Sequence, residues 1–262
     1  MEQFFQITAV VFLGLVLGSF ATALAYRLPR DLSIVTKVHS QCPSCGHNLG
    51  FRDLVPLLSW VFLKGRCRHC RAVIGTQYPL IELATLALCL LFYFVYGLKF
   101  ETAAIFALAP ILVGLIDIDL RYKIIPDGLN LTIFLVGVVA LVINAAMAGS
   151  PTTFVTEQGG PAIGGALVYG LGSLLLRQAA QMIMKREAMG LGDIKFFAAA
   201  GFWLGLNPNA AAALMIISGL SGIILALIWK KRTGESEVPF GPSLIIAFIA
   251  VLCFFPPSFM VD

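Results

Sequence analysis

The chain has 262 residues, of which 59% are hydrophobic and only 12% charged, with a mean hydropathy of +0.91. Soluble globular proteins carry about 25% charged residues, so a soluble fold is excluded. The net charge is +4, and where the basic residues lie says more than their sum.

Apolar runs recur along the whole length, and a helix of about 20 such residues spans a hydrocarbon core. In lipid these runs must be helical, because the backbone finds no water to bond. Eight candidate spans follow, at roughly 4–25, 79–97, 102–119, 128–148, 161–183, 193–206, 210–229 and 241–256. The expected fold is an all-α polytopic membrane protein. Its expected divisions are a first transmembrane helix (1–25), a polar loop domain (26–78) and a helical membrane domain (79–262). With the N-terminus outside, the inside loops hold eight, two, two and three of the 18 Lys and Arg, as the positive-inside rule requires. These cations are topology signals, and no nucleic-acid partner is needed to explain them. The opening "MEQFFQITAV" has no basic segment before its apolar run, which predicts an anchored start and not a cleaved signal peptide. The stretch "GSPTTFVTEQGGP" (149–161) reads as a polar, turn-rich outside linker.

The loop between the first two spans contains "CPSCGHNL" and "CRHC", with Cys42, Cys45, Cys67 and Cys70 spaced C-x2-C-x21-C-x2-C. Paired knuckles of this kind suit a four-thiolate structural zinc site. The orientation places the loop in the reducing cytosol, where structural disulfides are rare. His47 and His69 lie inside the knuckles and read as polar partners of zinc-bound sulfur. Cys89 and Cys253 fall in apolar spans and read as small buried hydrophobes.

Glu82, Asp117, Asp119 and Asp193 lie within or at the mouths of spans, where an ionised side chain is costly and is kept for a function or a partner. Asp119 ends the third span and Asp193 begins the sixth, both at the inside face. Two acids at one depth suggest a dyad, in which one carboxylate activates water while its protonated partner polarises a carbonyl. Asp117 and Asp119 point about 200° apart on a helix, so only one of them serves. Asp117 reads as the partner of Lys123 or Lys195, and Asp127 as a helix N-cap. Lys195 has two readings, tuning Asp193 or reaching lipid head groups. Glu82 has two as well, holding the amine of a substrate or cofactor, or pairing with Arg27. Gly190 and Gly192 allow close backbone approach beside Asp193.

Several stretches resemble the type IV prepilin peptidases, which are leader peptidases and N-methyltransferases. "GLVLGSFATALAYRLP" (14–29) resembles the opening motif of that family, and 41–83 its zinc-bearing segment. "DLRYKIIPD" (119–127) looks like its first catalytic motif, and "GLGDIK" (190–195) matches GxGD with the following lysine. The resemblance implies a catalytic pair at Asp119 and Asp193, supported by Gly190, Gly192 and Lys195. It also implies cleavage of basic leaders from prepilins or type II secretion pseudopilins at the cytosolic face of the bacterial inner membrane. Methylation of the new N-terminus with S-adenosylmethionine would follow. Thr22, the "GFRD" stretch, Leu54, Gln77 and Leu86 depart from the family pattern, all in the N-terminal third that the family associates with methyl transfer.

Two other readings use the same acids. One is a presenilin-like protease cutting within spans; the other is a proton or cation transporter with the zinc loop as a docking module.

Overall fold

The computed structural model describes residues 1–34, 40–185, 189–235 and 237–260. Lys37 and Arg186, counted above among the inside cations, lie outside the described residues. The described residues are helical apart from loops and two isolated bridges, Gln41 with Asn48 and Arg66 with Val73. The helices are α1 (Glu2–Arg27), α2 (Leu58–Phe62), α3 (Gln77–Tyr96), α4 (Ala103–Tyr122), α5 (Asp127–Met147), α6 (Pro151–Phe154), α7 (Gly160–Met184), α8 (Leu191–Leu204), α9 (Pro208–Thr233) and α10 (Gly241–Phe254).

Six helical runs among the described residues are long and apolar enough to cross a membrane. They correspond to six of the eight expected spans. The other two, α8 and α10, have 14 residues each, or about 21 Å of helix against a core of about 30 Å. The expected linker at 149–161 is corrected. Pro151 starts a helix there, a π-helical turn at Val155–Gly159 follows, and the run continues into α7. Proline at the first helical position suits such a start, because its missing N–H would have been unbonded anyway.

By packing, the chain divides into two compact units, Met1–Leu98 with Phe106–Asp117, and Lys99–Ile105 with Ile118–Asp262. In the first unit α1 and α3 lie against each other through glycines. A methyl group on Gly18 would come within 2.8 Å of the Glu82 Cα, and one on Gly14 within 3.1 Å of the Leu86 Cα. Small residues let membrane helices touch backbone to backbone, where hydrophobicity alone gives no preference for protein over lipid. Gly14 thus makes room for Leu86, one of the departures from the family pattern. Thr22, another, turns its hydroxyl to the Ser19 carbonyl of its own helix at 2.7 Å.

In the second unit α7 and α8 meet through Gly165 and Gly201, where a methyl group on either would collide with the carbonyl of the other. α5 joins them through Gly137, beside Phe202 and Trp203, and the Trp203 indole N–H donates to the Ile133 carbonyl at 3.0 Å. Near the C-terminus, Phe259 is buried and its ring lies 6.1 Å from Phe202 and 5.8 Å from Trp203. These contacts fix the C-terminal half of α8, the helix that carries Asp193 in its first turn.

Candidate active site and metal centre

Asp119 and Asp193 are both buried, at 4% and 9% exposure. α4 carries Asp119 near its end, and α8 carries Asp193 in its first turn. Each carboxylate is oriented by one backbone N–H. Gly241 donates to Asp119 Oδ2 at 2.8 Å, and Gly190 donates to Asp193 Oδ2 at 3.1 Å. The second bond reaches back from the third helical residue to the N-cap of α8, where the exposed N–H groups of a helix favour a negative charge. The two carboxylates lie close enough for their charges to interact.

Glycine is required at both ends of this arrangement. A methyl group on Gly241 would sit 2.7 Å from Asp119 Oδ2, and one on Gly192 would sit 2.9 Å from the Ile125 carbonyl oxygen. "IIPD" therefore lies directly against "GLGD". Two further contacts join the stretches. Lys195 Nζ pairs with Asp127 Oδ2, and Asn130 Nδ2 donates to the Gly192 carbonyl at 3.0 Å. Asn130 is buried and its Oδ1 has no hydrogen-bond partner, an uncommon and costly condition for a buried acceptor.

Several expectations change here. Asp127 is not the cap of α5: Pro126 holds the extended cap position and Asp127 is the first helical residue. Its carboxylate takes the Lys195 ammonium. Lys123 pairs with Glu235 at 2.8 Å. Glu82 accepts the Leu57 N–H at 2.7 Å, and Arg27 reaches the Ile34 carbonyl and the Ser40 hydroxyl. Gly241 and Asn130 were not legible as site residues. Gly241 donates its own N–H to the Asp119 carboxylate and Asn130 reaches the Gly192 carbonyl, each partner more than 60 positions away, and a lone Gly or Asn in an apolar sequence signals neither.

In the loop of the first unit, the sulfurs of Cys42, Cys45, Cys67 and Cys70 lie within 4.8 Å of one another, and all four thiols are free. Cys42 Sγ and Cys70 Sγ are 3.9 Å apart. Tetrahedral ligands at Zn–S distances near 2.3 Å stand about 3.8 Å apart, whereas a disulfide needs about 2.05 Å. The donor set and its spacing fit zinc. Each knuckle closes in the same way. Gly46 and Arg71, each directly after the second cysteine, have φ of +68° and +60°, and each donates its N–H to the carbonyl of the first cysteine. His47 and His69 stack on one another with ring centroids 3.5 Å apart and stand outside the four-sulfur cluster.

Residues 12–96 match the Bacterial Peptidase A24 N-terminal domain, and residues 104–255 match the Type IV leader peptidase family. The chain belongs to the type IV leader peptidase family. This membrane-embedded leader peptidase is 35% identical over 256 residues to the type 4 prepilin-like proteins leader peptide-processing enzyme of Escherichia coli O78:H11, covering 91% of this chain and 90% of the relative. It is 32% identical to the prepilin leader peptidase/N-methyltransferase of Burkholderia pseudomallei, over 97% of this chain and 87% of the relative. The corresponding protein of Aeromonas salmonicida is 37% identical over 81% of this chain and 70% of its own length. No solved structure matches the leader peptidase chain.

Proposed function

We propose that this leader peptidase is an aspartic endopeptidase of the bacterial inner membrane. In this reading it removes the basic leader from type IV prepilins or type II secretion pseudopilins, with Asp119 and Asp193 as its catalytic pair. The observation that carries the reading is the pair itself: two buried carboxylates within electrostatic reach, each aimed by a single backbone N–H. Such a pair cannot readily ionise twice, so it holds one proton between its members. The ionised member takes a proton from water, and the hydroxide attacks the scissile carbonyl. The protonated member donates to that carbonyl oxygen, and a proton then passes to the leaving amine as the C–N bond breaks. Gly190, Gly192 and Asn130 keep the Asp193 turn rigid, and the Lys195–Asp127 pair locks it to the "IIPD" segment.

Substrate approaches with its basic leader in the cytosol and its apolar stem in the bilayer. The distribution of Lys and Arg supports an N-terminus outside, with the zinc loop and the acids at the cytosolic face. The relatives' shared name supports a second activity, methylation of the new N-terminus with S-adenosylmethionine as the methyl donor. Zn2+ is structural in this reading and supplies folding energy to a loop that has little core. The domain division at 1–25, 26–78 and 79–262 belongs to the same proposal.

The test is mass spectrometry of a synthetic prepilin incubated with the purified protein and S-adenosylmethionine. Cleavage after the leader glycine with one added methyl is the expected product. Asp193→Asn, folded and zinc-loaded, should leave the prepilin intact. Cleavage by that variant at the normal rate would overturn the dyad.

A further inference from the structure

Exposed apolar side chains on α1, α3, α5, α7 and α9 need no explanation, because lipid covers a membrane-spanning helix. Phe51, Leu58, Val61 and Phe62 are exposed as well, the two phenylalanines at 86% and 78%, and they belong to the loop between spans. On the single turn of α2, Leu58, Val61 and Phe62 are spaced i, i+3 and i+4 and share one face. Trp60 lies on the other. Its indole N–H donates to the Ile74 carbonyl at 3.1 Å, and its ring lies over Gly65. α2 therefore seats its tryptophan against the loop and leaves its aliphatic and phenyl groups outward. Leu58 and Phe62 also line an open concavity of about 430 Å³, together with Val55, Leu63, Arg52 and Arg68. Arg68 binds Asp53 at 2.7 Å, which ties the second knuckle to the turn that carries Phe51 and Arg52.

Two observations say what covers this face. The first is charge. Residues 26–78 hold eight Lys and Arg against two acids, Asp31 and Asp53. Arg52, Lys64, Arg66 and Arg71 are exposed, and Arg52 lines the concavity with Leu58 and Phe62. An apolar face in so basic a loop is complementary to an anionic lipid surface. A basic leader peptide carries the wrong charge for it.

The second is depth. The head of α2 is fastened to a membrane-spanning helix, since the Leu57 N–H donates to Glu82 Oε2 at 2.7 Å. Glu82 is the sixth residue of α3, about 8 Å along its axis at 1.5 Å per residue. The attachment also holds an uncommon backbone. Leu57 has φ +60° and ψ −52°, and the Leu58 N–H bonds back to the Pro56 carbonyl at 2.6 Å, a tight three-residue turn that side chains other than glycine adopt reluctantly. α2 is thus tethered to the second turn of a helix long and apolar enough to cross a membrane.

We propose that the zinc loop carries a membrane-interface anchor. Leu58, Val61, Phe62 and Phe51 enter the boundary between head groups and acyl chains of an anionic leaflet, and Arg52, Lys64, Arg66 and Arg71 meet its phosphates. The loop is therefore held flat on the bilayer beside its own spans. The proposal does not depend on the roles of Asp119 and Asp193.

The experiment uses the full-length protein in nanodiscs of phosphatidylcholine and phosphatidylglycerol, with or without bromine at shallow acyl positions. The reporter is the tryptophan emission that Phe62→Trp adds to the parent protein, with Leu58→Trp as a second reporter. Bound zinc at the parent level shows that each variant is folded. Bromolipid should quench most of the added emission and aqueous iodide little of it. Replacing phosphatidylglycerol by phosphatidylcholine should weaken the bromolipid quenching. The variant Arg52→Gln/Lys64→Gln/Arg66→Gln/Arg71→Gln should weaken it equally. Quenching by iodide alone would place the face in water, and protection from both quenchers would mean that protein, a second copy of this chain included, covers it. Either result overturns the proposal, and quenching that ignores lipid charge overturns its electrostatic half. Both leaflets of such a disc are identical, so the outcome is independent of which side the loop occupies.

Discussion

In the loop between α1 and α3, four thiols converge on a surface open to water, where Cys45 and Cys70 are exposed and Cys42 and Cys67 buried. Asp119 and Asp193 are themselves buried, and the holding contacts are backbone N–H groups and glycines pressed against neighbouring chain. The two regions hold polar groups rigid by different physics. A short loop buries too little apolar surface to fold alone, so a metal can supply the missing free energy. Within membrane helices apolar burial gives no preference for one neighbour over another, and close backbone approach through glycine takes over. The contrast implies that each region fails in its own way.

Metal removal should show the largest effect. Chelation, or Cys42→Ser with Cys45→Ser, removes on the order of 10 kcal/mol of local folding energy. Metal analysis should fall from about one zinc per chain to none, and limited proteolysis should then cut between residues 40 and 76 while the spans stay resistant. Loss of prepilin cleavage along with the zinc would break the separation between the two regions.

Asp119→Asn and Asp193→Asn test the other side. Each should lower cleavage at least on the order of 10³-fold, the upper part of the range for a lost acid or base. Zinc content and thermal unfolding should stay close to the parent. A variant that kept activity would remove its residue from the dyad.

Gly241→Ala sharpens the comparison by striking the site through packing alone. Its methyl group would meet Asp119 Oδ2 at 2.7 Å, so the carboxylate or the start of α10 must shift, at about 1–3 kcal/mol. Thermal unfolding measures that cost, and prepilin cleavage should fall while zinc content does not change.

The smallest expected effect is electrostatic. The Arg68 guanidinium beside Asp53 holds its carboxyl below the usual carboxylate range. A depressed carboxylate contributes stability that is present above its unfolded value and is lost as pH falls through the lower, folded one. Because Arg68 is half-exposed, Asp53→Asn should cost the zinc loop less than about 1 kcal/mol. Proteolysis rates of the loop should show the gap between variant and parent closing as pH falls through the depressed value.

The cysteine spacing, the acids at the span ends and the distribution of basic residues are written in single short stretches, and each was legible because its signal is local. Leucine and valine runs announce membrane helices wherever they occur, although run length alone placed the start of the helix before α7 ten residues too late. Residue type also suggested a helix cap for Asp127 and an amine or Arg27 for Glu82, without naming the partners found here. Asp127 meets Lys195 and Glu82 meets the Leu57 N–H, and both partners are distant along the chain.

By itself the sequence determined the helical membrane class and the family, and it marked the four cysteines and the two aspartates as candidates, because composition, spacing and motif order are local signals. Tertiary structure alone decided which backbone groups aim those aspartates, why Gly241 and Gly192 admit no side chain, and which face of α2 is left outward. Those are matters of close approach between segments far apart in the chain, and a linear pattern carries no record of which carbonyl will stand less than 3 Å from which glycine.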